Sequence, residues 1–291
     1  MTELRARVIY EKRRQGMDID RYQWSNLFQR SPIEWPGGAK LALWICVSLE
    51  WFRFDEEGFS IRPLASPMVE YPDFWGFTRL DYGNRAGVYR VLQTLEDHGA
   101  RVTAALNSEI CSRYPFVVDT IEELDWEVIG HGTSSTQVLH EGMPEAEERE
   151  LISEALGALR SATSRPIRGW LSPSLSQSRR TPDLLAEQGI EYLCDWVNDD
   201  LPYPFQVGGR TIHSLPYSYE INDLHTIGQF GQTAAEFRDQ IVDQADTLLA
   251  EAERGGGRCM CIALHPWLIG APHRIRYLDE ALEHLLKDTR I

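Results

Sequence analysis

Apolar positions along the chain fall into two rhythms. Short, nearly unbroken apolar runs occupy 41–48, 101–106, 127–130, 168–171, 192–194 and 259–264. Runs of this kind suit strands covered on both faces, as in a parallel sheet. Between them lie longer stretches with helix start and stop signals. Asn84 reads as the N-cap of a helix that ends before Gly99. Pro115 opens a helix to about 124. Pro144 opens the longest, to about 163, with Glu145, Glu147 and Glu148 complementing its N-terminal positive end. Further helices are predicted from Thr181-Pro182 to Gly189, over 233–253, and over 273–287. Gly208-Gly209 between short β-type segments reads as a hairpin. The alternation predicts a parallel, barrel-like α/β fold. Two stretches stand outside it. Residues 59–82, with Pro63, Pro67 and Pro72, read as a long irregular connection. Residues 1–37 lack a core-facing period and end in the turn WPGG, so they read as an arm that wraps the domain (38–291) or a neighbouring subunit.

Right-handed crossovers put the residues that follow each parallel strand on one rim. Barrel active sites gather there. Glu50, His131, Ser172, Asp195 and His265 each follow an expected strand. Two histidines and two carboxylates suit general acid–base hydrolysis. The segment GWLSP at 169–173 is not a nucleophile elbow, because Pro173 stands where that turn requires glycine. A metal held by Glu50, His131 and His140 is an alternative, which needs three or four well-placed ligands. Trp51, Phe52 and Phe54, with Tyr71, Phe74, Trp75 and Phe77, read either as an apolar wall beside Glu50 for a small planar ligand or as core packing.

Charge narrows the partners. The formal net charge of -15 argues against nucleic acid and anionic membrane surfaces. No apolar run approaches the ~20 residues of a membrane helix, and a cytoplasmic protein is expected. The five cysteines are odd in number and form no CxxC pair, so buried hydrophobes are expected rather than a disulfide framework or zinc knuckle. Tyr10, Tyr22, Trp24, Leu27 and Phe28 in the arm predict a homo-oligomer with the arm at or near the interface.

Several segments together resemble the polysaccharide deacetylase superfamily, and most closely its metal-independent, allantoinase-like branch. They are WPGG at 35–38, the strand ending in Glu50, HG at 131–132, RPIRGW at 165–170, NDDLPY at 198–203, PYSYEIND at 216–223 and LHPWLIGAPHRIR at 264–276. The resemblance spans about 35–286. It implies a single-domain distorted (β/α) barrel and hydrolysis of non-peptide carbon–nitrogen bonds. Metal-dependent members carry an Asp-Asp pair after the first strand and an HxxxH motif later; the first Asp is the base, and the second Asp and both histidines bind metal. Glu50 falls on the base position, Trp51 on the metal-binding Asp, and Ser135 on the second histidine. An indole N–H donates and cannot ligate, so of the three ligands only His131 is retained. His265 falls on the family's acid. The family's proline-aromatic-glycine turn is PSL at 173–175 here, which weakens the case for a polysaccharide.

The resemblance thus implies a metal-independent hydrolase of a small cyclic amide, imide or ureide. Glu50 would be the base, His265 the acid, and His131 would position the carbonyl. Trp51, Ser135, Trp170, Asp195, Asn198, Asp199, Asp200 and Asn222 are the expected substrate-binding residues. No cofactor is expected. The alternatives are a divalent metal at Glu50 and His131 in an N-deacetylase of N-acyl sugars, and a non-catalytic barrel that binds a small ligand.

Overall fold

The computed structural model describes residues 19–27, 30–54 and 72–291. The apolar runs become strands β1 (Leu41–Leu49), β2 (Val102–Leu106), β3 (Glu127–Gly130), β4 (Gly169–Trp170), β5 (Tyr192–Leu193) and β8 (Arg258–Leu264); the hairpin supplies β6 (Tyr203–Val207) and β7 (Arg210–Ser214). They form one eight-stranded sheet in the order β6-β7-β5-β4-β3-β2-β1-β8. Every pairing is parallel except that of β6 with β7. A parallel bridge between Asn222 and Ala263 brings the chain after β7 alongside β8 and continues the curl. The result is the single-domain, half-closed (β/α) barrel that the alternation predicts.

The unbroken apolar runs have a simple cause, since both faces of these strands are covered. Along β1, Ile45 and Val47 join the cluster under the helices, while Cys46 points the other way, into the curl. Inside, Cys46, Ala105, Ile129, Leu171, Cys194 and Cys261 pack with Tyr217. Burial pushes the thiols of Cys46, Cys194 and Cys261 up, so they stay protonated and fill space as small hydrophobes.

The outer layer comprises α1 (Phe74–Tyr82), α2 (Val88–Asp97), α3 (Ser108–Arg113), α4 (Pro115–Glu123), α5 (Glu145–Ala162), α6 (Thr181–Glu187), α7 (Ala234–Gly255), α8 (Pro266–Ile269) and α9 (Ile275–Leu285). Helix α9 buries Leu278, Ala281, Leu282 and Leu285, one stripe at helical spacing. Each buried leucine stabilises by roughly 1.5–3 kcal/mol relative to exposure. Thr233 and Glu236 cap α7 reciprocally, as a capping box.

One helix start differs from the sequence expectation. The helical chain begins at Phe74, capped by the side chain of Asp73, which accepts from Gly76 N at 2.9 Å. It continues through a π turn, Gly83–Gly87, into α2. Asn84 is therefore inside the helical stretch, not its cap. The glycines that read as irregular structure serve close packing. A Cβ on Gly83 would lie 2.8 Å from Cβ of Trp267, and one on Gly87 would lie 2.0 Å from the carbonyl oxygen of Pro266. Pro63, Pro67 and Tyr71 lie outside the described residues.

The described part of the arm lies on its own domain. Arg21 pairs with Asp183 at 2.6 Å, and its carbonyl accepts from Gln206 N at 2.7 Å, covering the edge strand β6. Tyr22 packs against Trp196, Tyr203 and Phe205. Arg30 grips both carboxylate oxygens of Asp199 at 2.5 Å. Trp35 donates to the carbonyl of Arg258 at 2.7 Å. Tyr10 and Phe28 lie outside the described residues, and no described helix is long and apolar enough to cross a membrane.

Candidate active site

The strand ends converge as the crossover rule requires. Glu50 follows β1, Asn107 follows β2, His131 follows β3, Ser172 lies beyond β4, Asp195 beyond β5, and His265 follows β8. At the centre stands the Glu50 carboxylate. Ser135 Oγ is 2.9 Å from its Oε1, the indole N–H of Trp267 donates to its Oε2 at 3.2 Å, and Nε2 of His131 lies 3.8 Å from Oε1. Asn84 donates to the main-chain carbonyl of Glu50 at 2.9 Å.

Asn107, wholly buried, ties three loops together. Its Oδ1 accepts from Trp51 N at 2.8 Å and lies 2.9 Å from Ser135 Oγ, so that hydroxyl's one hydrogen is shared between Asn107 and Glu50. Its Nδ2 donates to the carbonyl of His131. His131 in turn sets Nδ1 2.6 Å from the carbonyl of Leu171. A carbonyl only accepts, so Nδ1 carries the hydrogen and Nε2 is turned toward Glu50. Asp195 fixes the far side of that carbonyl's peptide: it accepts from Ser172 N at 2.6 Å and from Ser172 Oγ at 2.7 Å.

His265 is held by Asp223, which accepts from its Nδ1 at 2.7 Å and from its main-chain N–H at 2.9 Å. Asp223 is wholly buried, and Asn222 closes the turn that presents it, accepting from Leu224 N at 2.9 Å. A second π turn, Leu224–Gln229, begins directly after Asp223. Such turns recur at functional sites.

The charges sort into opposite roles. Burial favours a neutral Glu50, but His131, His265 and Ser135 outweigh it and hold the carboxyl below the ordinary 4.5. Burial also opposes a charged His265, but Asp223 and then Glu50 outweigh it and hold the imidazole above the ordinary 6.5. Asp195 goes the other way. Its burial outweighs the hydrogen bonds from Ser172 and the charge of His131, and pushes it up to about 6.

Glu50, His131, Ser135, Asp195 and His265 are thus brought together. The other expected contacts are placed differently. Trp170 is 1% exposed, packs in the core and donates its indole N–H to Ser172 Oγ at 2.9 Å, so it supports the rim from below. Trp51 packs its ring on Phe77 and Tyr114 beneath the guanidinium of Arg113, with centroid distances of 6.0, 6.1 and 4.2 Å. Asn222 serves Asp223. Asn198, Asp199 and Asp200 are not part of the cluster. Asn198 accepts from Tyr203, Asp199 holds the arm through Arg30, and Asp200 feels Glu251 and Arg258, the first residue of β8 and the far end of that strand from His265. Four site residues were not assigned from sequence. Asn107 follows a strand directly, the signal that marked Glu50. Asp223 and Trp267 lie in the segments PYSYEIND and LHPW. Asn84 was read as a cap.

A divalent metal does not fit this donor set. Among the described residues no group of three or more His, Cys, Asp or Glu is gathered for a metal. The side chains in contact with the Glu50 carboxylate are one imidazole, a serine hydroxyl and an indole N–H, short of the three protein ligands a catalytic zinc needs. His140 is exposed on the loop before α5 and joins no such group.

Comparison with known proteins agrees with this architecture. Residues 77–193 match the Polysaccharide deacetylase family model. A curated Schizosaccharomyces pombe (strain 972 / ATCC 24843) protein, a polysaccharide deacetylase by name only, is 26% identical over 278 residues, covering 86% of each chain. The crystal structure of Puue Allantoinase is 26% identical and superposes with a TM-score of 0.81 over 91% of this chain and 90% of that one. A Pseudomonas aeruginosa PAO1 structure, again a polysaccharide deacetylase by name only, shares the fold with a TM-score of 0.80 at 24% identity, covering 91% of this chain and 93% of its own. Over residues 77–193 the chain is thus similar to the polysaccharide deacetylase family, and its fold is that of the structures compared.

Proposed function

We propose that the protein hydrolyses a non-peptide carbon–nitrogen bond in a small cyclic amide, imide or ureide, without a metal. The observation that carries this reading is the pairing, in one buried cluster, of a carboxylate whose surroundings favour its ionised form with an imidazole whose surroundings favour its protonated form, Glu50 and His265. Glu50 takes a proton from water, and the resulting hydroxide adds to the carbonyl carbon. His265 gives its Nε2 proton to the departing nitrogen, and Asp223 stabilises the imidazolium until then. His131, steered by Leu171, positions the substrate carbonyl and, when protonated, presents Nε2–H to the developing oxyanion. The donor set, short of three metal ligands, and the likeness to an allantoinase over nine-tenths of the chain support this substrate class.

A second reading, deacetylation of an N-acyl sugar, draws support from the family and the fission-yeast relative. A hydrolysis panel of allantoin, hydantoins, succinimides and N-acetyl sugars, run before and after chelation, separates the two. Turnover of a cyclic substrate that survives chelation is expected. Activity confined to N-acetyl sugars, or a stripped enzyme revived by zinc or cobalt, would overturn the proposal.

A further inference from the structure

Glu50's two oxygens are held by different elements. Oε1 faces Ser135 and His131, both after β3. Oε2 receives the indole N–H of Trp267, on the short helix α8 that starts one residue after His265. Trp267 is 5% exposed. Its ring stands edge-on to the imidazole of His265, with centroids 6.2 Å apart and planes at 64°. The guanidinium of Arg79 lies over the same ring at 4.9 Å. One residue therefore touches both the carboxylate and the imidazole ring of the proposed pair.

The backbone carrying Trp267 is clamped in the same place. Gly83 and Gly87 of the first π turn leave no room for a side chain against Pro266 and Trp267. Between them, Asn84 donates to the carbonyl of Glu50. A single turn thus fixes the main chain of both the base and the residue that holds its second oxygen. Without the indole N–H, Oε2 would lose this donor while Oε1 kept Ser135.

We infer that Trp267 is the positioning residue for the base: its indole N–H sets the orientation of the Glu50 carboxylate relative to His265. The inference rests on Glu50 acting as the base. A donor to a carboxylate favours its ionised form, so Trp267 also helps keep Glu50 ready to accept a proton.

Trp267→Phe removes the N–H and keeps an aromatic ring. Its kcat is expected to fall roughly 10- to 100-fold, the size of one hydrogen bond to a charged group, with KM changed by less than about twofold. The acidic limb of its pH–rate profile is expected to move to higher pH, which a merely structural role would not cause. Unchanged kcat and an unmoved acidic limb in the folded variant would overturn the inference. A second measurement needs neither turnover nor a Trp267 variant. In full-length protein labelled at indole nitrogen, Glu50→Gln replaces a charged acceptor by a neutral one, and one buried indole N–H proton resonance is expected to move upfield at neutral pH. If no indole resonance moves, Trp267 does not hold the carboxylate. If one moves while the panel shows no hydrolysis, the contact stands and the catalytic reading fails.

Discussion

Replacing Asp195 by asparagine is expected to stabilise the protein at neutral and alkaline pH. The folded carboxyl is pushed up to about 6 from an ordinary 3.8, with burial the dominant cause. The folded state therefore binds this proton more tightly than the unfolded chain does. Stability falls as pH rises from about 3.8 to about 6 and stays at the lower level above that. At about 1.4 kcal/mol per tenfold in proton affinity, the cost of the buried charge is roughly 3 kcal/mol. Asparagine keeps the shape and removes the charge. Its carbonyl can still accept from Ser172 N, and its amide can donate to Ser172 Oγ, which already accepts from Trp170. An unfolding entropy of roughly 2.1 cal/mol/K per residue gives about 0.6 kcal/mol/K for 291 residues, so the gain corresponds to about 5 °C in Tm. Thermal unfolding of both proteins by circular dichroism, from about pH 4 to about pH 8, is the test. The variant should melt higher at the alkaline end, and the difference should vanish at the acid end. A variant less stable by the same amount at every pH would refute the reasoning, because the contacts with Ser172 would then outweigh the burial of charge.

On any substrate that turns over, Glu50→Gln and His265→Ala should each lower kcat by ~10²–10⁴-fold, and the double variant should fall little further. The pH dependence of kcat/KM should be a broad bell. Activity rises as Glu50 ionises, below its ordinary 4.5, and falls as His265 loses its proton, above its ordinary 6.5. Asp223→Asn should bring the basic limb down, since the charge that raises His265 is gone; an unmoved limb would assign it to another group. Light scattering should find an oligomer for the full-length chain and a smaller species once residues 1–30 are removed. A monomeric full-length chain would leave the arm with only its intramolecular role.

The site's outline was legible because it follows from direction and spacing. A parallel strand delivers the residue after its last apolar position to one rim, so Glu50, His131 and His265 could be placed from local pattern. The partners of those residues were not legible. Asp223 lies on a segment between β7 and α7 that has no strand–helix signature of its own, and only the bridge from Asn222 to Ala263 brings it beside His265. Asn198 to Asp200 lie away from the Glu50 cluster for the opposite reason. Their local sequence resembles a functional segment, but Arg30, from far away in the chain, takes Asp199 for the arm.

By itself the sequence determined what depends on short-range order: strands covered on both faces, the longer helices with their stops, the hairpin, and which residues leave the strands at the rim. The tertiary structure decided what depends on contact between distant segments. It made a helix of glycine-containing residues 74–87, because Gly83 and Gly87 gain more from close packing against Pro266 and Trp267 than their backbone freedom costs. It also decided which way the proton affinities of Glu50, His265 and Asp195 are shifted. A side chain's proton affinity is set by burial and by the charges facing it, and those charges come from strands and loops that sequence order keeps far apart.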